Sequence, residues 1–228
     1  MRRGQLMPNW VYNTLQIEGD AETIQKVKAQ LNKPYQHEHT DFRTDEKSVV
    51  LYSNPIIAFW NIVQPPENKL DLYHAVSDNT ADKKWGWYAW NNNNWGTKWD
   101  IGVRDEEKYP DTELLEETDK SLLYKFNTAW SPPLPAIEQL SLQYPELEMT
   151  LEYEEEQGWG GEIFWDSTGS TIVREWDIPN SHADYKALDR ECECETNEDE
   201  EYWFSDCPAN QKIELYEKKD VELLNANS

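Results

Sequence analysis

Three segments of the chain alternate apolar and polar side chains with the two-residue period of a β-strand. Residues 10–17 are rich in aromatic and branched side chains, and residues 122–130 place apolar side chains at every second position. Residues 147–154 alternate most regularly, which predicts a strand with one buried face and one face in water. The inward positions are Leu122, Tyr124, Phe126, Thr128, Leu147, Met149, Leu151 and Tyr153, and the outward glutamates are Glu148, Glu152 and Glu154.

Two further segments repeat apolar side chains with the period of a helix. Residues 21–31 place them on one helical face, and Asp20 stands at the expected N-cap. Residues 134–144 form the second predicted helix, which Ser131 is expected to cap and Pro145 to end. The apolar positions are Ile24, Val27 and Leu31 in the first helix and Ile137, Leu140 and Tyr144 in the second.

The remaining segments give weaker signals. Residues 35–48 are polar and predict a loop. Residues 101–103 predict a short strand, and an acidic loop is expected over residues 104–120. The turn signals at residues 155–158 and 167–170 predict an additional hairpin after the third long strand.

In chain order these elements form a β-α-β-β-α-β series, which predicts a ferredoxin-like α+β fold with an antiparallel sheet. We expect this domain over residues 1–178, with a tryptophan-rich insertion at about residues 35–120 and the extra C-terminal hairpin. Residues 179–228 are expected to form an acidic C-terminal appendage. The helices would cover one face of the sheet, so the glutamate-bearing face would be open to a partner or to the C-terminal segment.

Five of the twelve tryptophans lie within residues 84–100 (KWGWYAWNNNNWGTKWD), with spacings that follow neither a helix nor a strand. An indole buries a large apolar area, and its N–H then needs a hydrogen-bond acceptor. The segment is therefore expected to be an internal aromatic brace, a recognition surface, or both. The candidate residues are Trp85, Trp87, Trp90, Trp95, Lys98, Trp99 and Asp100, together with Trp130.

Negative charge is concentrated in the second part of the chain. The net charge is −24, and residues 101–228 hold 33 acidic against 10 basic residues, whereas residues 1–100 hold 12 against 11. Such a field disfavours direct binding to nucleic-acid phosphates or to an anionic membrane and favours a partner with a basic surface. Candidate partner-binding carboxylates are the strand set Glu148, Glu152 and Glu154 and the run Glu198, Asp199, Glu200 and Glu201.

The thiol and imidazole groups raise the question of a metal site. Cys192, Cys194 and Cys207 could join His182 in the sulfur and nitrogen ligand set that zinc prefers, but their spacing is not that of a ribbon or finger, and free thiols are the alternative. His37 and His39 flank Glu38 in a polar segment that fixes no further ligand. The sequence indicates no cofactor and no catalytic residue, so it favours a binding function over an enzymatic one.

Four motifs in order along the chain resemble the YubB-type ferredoxin-like domain family, which bacteriophages and conjugative plasmids carry. They are MPNW at residues 7–10, FWNIVQPPE at 59–67, NWGTKWD at 94–100 and FNTAWSPP at 126–133. The resemblance covers about residues 7–178 and implies the ferredoxin-like strand order, without an iron–sulfur cluster, and a mobile-element origin. It implies no activity. This chain departs from the family pattern in the run Asn91–Asn94 and in its acidity after residue 100.

From these observations we expect an acidic, non-enzymatic phage accessory protein in the host cytosol. It would bind and inhibit a host protein with a basic surface, as a nucleic-acid mimic that counters host defence. The odd cysteine count and the polar sequence after residues 1–4 agree with a reducing compartment. The alternative is a small-ligand domain, binding or hydrolysing a nucleotide-like molecule in a tryptophan-rich cleft.

Overall fold

The computed structural model of the chain describes residues 9–40, 44, 46–74, 83–179 and 182–190. The chain divides into two units. The first comprises Met1–Glu156 with Gly160–Glu175, and the second comprises Gln157–Trp159 with Trp176–Ser228. The first unit contains the sheet and the aromatic insertion.

Strands and helices within the described residues have the following bounds. The strands are β1 Trp10–Glu18, β2 Tyr35–Thr40, β3 Lys47–Tyr52, β4 Glu113–Glu117, β5 Ser121–Ala129, β6 Glu148–Glu155, β7 Gly160–Asp166 and β8 Gly169–Trp176. The helices are α1 Ala21–Leu31, α2 Leu70–Tyr73, α3 Trp87–Asn94, α4 Leu134–Gln143 and α5 His182–Ala187, with 3₁₀ turns at Phe59–Asn61, Glu67–Lys69 and Lys83–Trp85.

Six strands form one sheet in the order β4-β5-β1-β6-β7-β8, and β2 pairs with β3 in a separate hairpin. Every strand pair from β4 to β7 is antiparallel. The series β1-α1-β4-β5-α4-β6 with the spatial order β4-β5-β1-β6 is the β-α-β-β-α-β topology. The ferredoxin-like prediction is therefore confirmed, and β7 and β8 extend the sheet as the expected extra hairpin.

The core lies on the face of the sheet that carries α1 and α4. A row of buried side chains crosses four strands, because Leu15 of β1 stands opposite Tyr124 and Leu151, and Leu151 stands opposite Ile163. The apolar faces of both helices are buried as well, with Ile24, Val27, Leu31, Ile137 and Leu140 fully inaccessible. The inward positions predicted for residues 122–128 and 147–153 are all buried.

The two helix starts differ from each other. The carboxylate of Asp20 accepts hydrogen bonds from the backbone N–H of Glu22 at 3.0 Å and of Thr23 at 3.1 Å, which confirms the predicted N-cap of α1. Ser131 does not cap α4, whose N-cap is Pro133. The Ser131 hydroxyl donates instead to the carbonyl of Gly96. This hydrogen bond links the segment before α4 to the insertion.

Two strands lie where loops were predicted. β2 occupies the first part of the polar segment at residues 35–48, and β4 lies within the predicted acidic loop. The hydropathy pattern does not indicate β2, because its inward-packing residues Tyr35 and His37 have rings with polar groups and do not stand out as apolar. It does not indicate β4, because an edge strand can be exposed on both faces. Residues 101–103 form no strand. They contribute the buried Ile101 and the half-buried Gly102, where a Cβ would stand 2.6 Å from the Tyr35 hydroxyl.

The two edges of the sheet are unlike. β4 carries three glutamates among its five residues, and its pairing with β5 is interrupted by a bulge between Leu114 and Glu116. β8 is exposed along residues 169–175 on both faces, including the apolar side chains of Ile172 and Val173. Edge strands present unpaired backbone groups, and bulges and charges are ways in which proteins protect them.

We predict that the centre and the β8 edge of the sheet respond differently to truncation. Leu151→Ala removes a side chain with no exposed surface and should lower the free energy of unfolding by about 2–5 kcal/mol. Ile172→Ala, at a side chain that is 59% exposed, should change it by less than about 1 kcal/mol. Urea denaturation followed by circular dichroism measures both values, and equal losses would contradict a central β6 and an edge β8.

Candidate partner-binding face and aromatic insertion

The carboxylate of Asp100 is the point at which the insertion is fixed. Its Oδ1 accepts hydrogen bonds from the backbone N–H of Phe59 at 2.7 Å and of Ile101 at 2.8 Å. Its Oδ2 accepts from the backbone N–H of Trp60 at 3.2 Å and from the hydroxyl of Tyr35 at 3.0 Å. Four donors from three separate segments therefore converge on one side chain, which makes Asp100 a structural residue.

Burial governs the electrostatics around this carboxylate. It raises the pKa of Asp100, while the four hydrogen bonds favour the ionised form and oppose that rise. The pKa of Tyr35 is raised by its own burial and by the charge of Asp100, and burial raises the pKa of Tyr52 to about 12. Tyr35 therefore stays protonated at neutral pH, and its hydroxyl donates a hydrogen bond to the Asp100 carboxylate.

Aromatic rings connect the β2–β3 hairpin to the core of the sheet. Trp90 and Trp95 belong to this series of rings and are buried, and the Trp95 indole N–H donates to the carbonyl of Val63 at 3.0 Å. The internal-brace prediction for these two residues fits this packing. Successive ring-centroid distances are 4.4 Å for Tyr35–Tyr52, 6.2 Å for Tyr35–Trp60, 5.7 Å for Trp60–Tyr73, 5.8 Å for Tyr73–Trp90, 5.5 Å for Trp90–Trp95, 6.0 Å for Phe59–Trp95 and 6.0 Å for Phe59–Phe126.

The asparagine run lies inside α3 and ties that helix to its surroundings. Asn91 is buried, accepts a hydrogen bond from the Tyr73 hydroxyl at 2.9 Å and donates to the carbonyl of Lys98 at 2.9 Å. Asn92 and Asn94 donate to backbone carbonyls one turn earlier in the same helix. The first asparagine of the run therefore positions the segment that follows α3.

That following segment docks onto the end of β5. Gly96 adopts a φ of +82°, and a Cβ there would stand 2.4 Å from a ring carbon of Pro135. The hydroxyl of Thr97 donates to the carbonyl of Ala129 at 2.9 Å and accepts from the Ala129 backbone N–H at 3.1 Å. These two hydrogen bonds of the Thr97 side chain place Lys98 and Trp99 beside the first residues of β1.

The other tryptophans of the insertion remain partly accessible. Trp87 is exposed, and the ammonium groups of Lys69 and Lys84 each lie 5.4 Å from the ring centroid of Trp85. Trp99 is exposed and lies 6.1 Å from the ring of Trp10, with the Lys98 ammonium 4.4 Å from its ring centroid. The segment therefore contains both an internal brace and exposed rings.

Trp130 combines exposure with an unusual backbone. Its φ is +77°, a left-handed conformation that costs a residue with a Cβ about 1–2 kcal/mol. Its side chain is 44% exposed, and its backbone N–H donates to the carbonyl of Asn9 at 2.9 Å. Trp130 is therefore not part of the buried brace, and its backbone turns the chain from β5 toward α4.

The face of the sheet opposite α1 and α4, which we call the open face, carries the predicted strand carboxylates. Glu148 pairs with Glu18 across β6 and β1, Glu152 pairs with Thr14, and Glu154 pairs with Tyr12. On the other side of β6, Glu152 stands opposite Glu162. The three glutamates thus project from one rigid central strand, as the alternating pattern predicted.

Two basic residues lie among these acids. Lys125 of β5 stands opposite Thr14 and Glu113. Arg174 of β8 contacts two strands at once, with its Nη2 3.3 Å from Glu152 and its Nε 2.7 Å from Glu162. Glutamates still outnumber basic residues on the described open face, and they are Glu18, Glu113, Glu116, Glu148, Glu152, Glu154 and Glu162.

Several predicted site residues lie outside the described residues. These are the acidic run Glu198–Glu201 and the thiols of Cys192, Cys194 and Cys207; His182 begins α5, but its side chain is not described. Among the residues that are described, no group of three or more His, Cys, Asp or Glu side chains could hold a metal ion. The structure gives the His37 ring an aromatic environment, 4.9 Å from Trp60 and 5.0 Å from His74 by ring centroids.

Comparisons with known proteins support the fold. Residues 98–201 match the family model described as the ferredoxin-like domain in Api92-like protein. This match confirms the ferredoxin-like part of the resemblance noted from the sequence motifs, whereas a phage or plasmid origin stays a prediction. No described helix is long and apolar enough to cross a membrane.

Similarity to individual proteins is weaker than the match to the family model. The crystal structure of the protein Api92 from Yersinia pseudotuberculosis is 9% identical in sequence, with 76% of this chain and 99% of that chain covered. The TM-score of this comparison is 0.44. No curated protein matches the chain in sequence.

Removing the Asp100 carboxylate should destabilise the insertion strongly. We expect Asp100→Ala to lower the free energy of unfolding by about 3 kcal/mol, because buried donors lose a charged acceptor. Asp105→Ala is the matched control, since the exposed Asp105 accepts one backbone hydrogen bond, from Ser53 at 2.7 Å, and should cost less than about 1 kcal/mol. Chemical denaturation measures the free energy of unfolding of both variants. A loss below about 1 kcal/mol for Asp100→Ala would contradict the role of Asp100 in fixing the insertion.

The left-handed backbone at Trp130 predicts that glycine is more stabilising than alanine there, the reverse of the order in a helix. Trp130→Gly should be more stable than Trp130→Ala by about 0.5–1 kcal/mol, because glycine adopts a positive φ without steric cost. The same two substitutions at Leu142, an exposed position in α4, should favour alanine by about 1 kcal/mol. Thermal denaturation of the four variants measures the two differences, and the same sign at both sites would contradict the backbone geometry.

Proposed function

We propose that this protein is a non-enzymatic binding protein whose open face engages a basic surface on another protein. The observation that carries the proposal is the row of glutamates held on ordered strands of the sheet. Carboxylates on a rigid strand keep their spacing without a partner, so binding does not have to order them. The excess of acid over base on this face gives electrostatic complementarity to a surface rich in lysine and arginine.

The spacing of these carboxylates supports competition with nucleic acid. Side chains on one face of a strand repeat about every 7 Å. Measured along the helix axis, one strand of duplex DNA carries a charge about every 3.4 Å, so two such steps are close to the same length. Glu152 and Glu154 stand at this separation along β6, and the neighbouring strands add further carboxylates at roughly 5 Å across the sheet. A nucleic-acid-binding protein that accepts this face would be blocked from its own substrate.

This role extends naturally to inhibition of a host protein. A protein that covers a phosphate-binding surface inhibits its target without any chemical step, so it needs neither a catalytic residue nor a cofactor. We propose a host defence or replication factor as the target and the host cytosol as the location. The acidity after residue 100 supports this direction, because it repels nucleic acid and attracts basic proteins.

Charge reversal on the open face should abolish partner binding. We expect the triple variant Glu148→Lys, Glu152→Lys and Glu154→Lys to lose a basic protein that the unmodified chain captures from a bacterial lysate, and duplex DNA should displace that protein from the unmodified chain. Affinity capture with mass spectrometry, at low and high salt, provides the measurement.

The matched control reverses three exposed acids outside the open face, with the same change in net charge. It consists of Glu22→Lys, Glu106→Lys and Glu146→Lys, and it should retain capture. Circular dichroism verifies that both triple variants fold; a second open-face variant with glutamine in place of lysine guards against misfolding next to Arg174. Capture that survives both open-face variants, or that DNA does not displace, would refute the proposal.

A further inference from the structure

One end of the open face is aromatic. Trp10 and Tyr12 alternate with the buried Val11, so both rings project from the open face of β1. Trp99 lies against Trp10 at 6.1 Å with the two ring planes inclined by 44°, and Tyr12 and Trp99 are 47% and 40% exposed. We call these three rings the aromatic end. Two of the three rings, Tyr12 and Trp99, are therefore accessible.

The aromatic end already has a cation over one of its rings. The ammonium of Lys98 lies 4.4 Å from the centroid of Trp99, within the range of a cation–π interaction. The backbone around Lys98 is held by Asn91 and Thr97, so the ring and the lysine are brought together by the fold. The electron-rich face of Trp99 is therefore a place where a positive group is stabilised.

The open face also contains an arginine held by carboxylates from two strands. Arg174 lies 3.3 Å from Glu152 on β6 and 2.7 Å from Glu162 on β7. These two glutamates stand directly opposite each other in the strand register. Cross-strand glutamates on this face are thus spaced so that one guanidinium group reaches both.

The aromatic end and the carboxylate rows are adjacent. Tyr12 pairs with Glu154 across β1 and β6, and the next row inward places Thr14 beside Glu152. A group bound over the aromatic rings would therefore lie next to the acids of β6. Lysine can satisfy the charge, but only a guanidinium group is planar enough to stack on an indole while donating two parallel hydrogen bonds to a carboxylate.

We infer that the aromatic end of the open face, with the neighbouring carboxylates of β6, is an arginine-binding site, so that the partner contributes an arginine side chain there in preference to lysine. This inference rests on the proposed function and names the contact that would dominate it. Aromatic and arginine side chains are the commonest energetic centres of protein interfaces. A nucleobase would stack on the same rings, but its phosphate would meet the glutamates, so the acidic surroundings favour arginine.

Two peptides of equal length and charge separate the contributions of stacking and charge. One carries four arginines and the other four lysines, each in a glycine–serine background, and isothermal titration calorimetry at low salt measures their affinities. We expect the arginine peptide to bind about tenfold more tightly, as a desolvated cation–π contact and a bidentate pair together predict. Equal affinities of the two peptides would overturn the inference.

Three single variants locate the preference. Trp99→Leu should remove the arginine preference and leave the lysine peptide's affinity unchanged. Trp87→Leu, at an exposed tryptophan of α3, should keep the preference and controls for the general loss of an indole. Lys98→Gln should strengthen arginine binding severalfold, because it removes the cation that already occupies the ring.

The outcomes distinguish this inference from the proposed function. If both peptides bind equally and charge reversal of Glu148, Glu152 and Glu154 abolishes both, the acidic binding face stands and the arginine site is refuted. If neither peptide binds, both are refuted. If a single-stranded oligonucleotide or ATP binds in place of the peptides and Trp99→Leu abolishes it, the aromatic end is a nucleotide site and the arginine inference is overturned.

Discussion

The hydrogen bonds that converge on Asp100 are the constraint on which the arrangement of the insertion depends. The chain between α1 and β4 is long, and its described strands and helices have at most eight residues each. Such a segment is costly to order unless a few strong contacts fix it. Asp100 supplies them by joining the β2 strand, the 3₁₀ turn at Phe59–Asn61 and its own neighbour Ile101. The aromatic rings then pack around this charged centre. Without it, the buried N–H groups of Phe59 and Trp60 would lack their acceptor.

This fixed insertion has an effect on the sheet beyond its own packing. By anchoring Thr97 to Ala129, it carries Trp99 to the end of β1, where the ring contacts Trp10 on the open face. The helices cover the opposite face, so the glutamates of β6 and the rings beside them share one surface. The fold therefore places two kinds of recognition chemistry side by side, an aromatic group from the insertion and carboxylates from the sheet. Neither segment would form that surface alone.

The sequence predicted the ferredoxin-like frame because each of its main elements is amphipathic with a clear period. Asp20 at α1 and the alternation Leu147, Met149, Leu151, Tyr153 are local signals, and local signals can be read along the chain. β2 was missed because its tyrosine and histidine rings face inward, and β4 because an exposed edge strand needs no apolar side. The aromatic end was missed for a different reason. Trp10 and Trp99 are far apart in sequence, and they meet because Ala129 pairs with Trp10 in the sheet and is hydrogen-bonded to Thr97.

The unequal edges of the sheet limit how this protein can assemble. A sheet with two open edges can add strands at both sides and grow without end, whereas a sheet with one open edge can pair only once. The bulge and the glutamates of β4 oppose pairing on one side. Among the described residues, β8 with its exposed Ile172 and Val173 forms the other edge. Edge-to-edge association through β8 would therefore stop at two chains. The bulge and the glutamates of β4 therefore oppose the addition of a further strand at that edge.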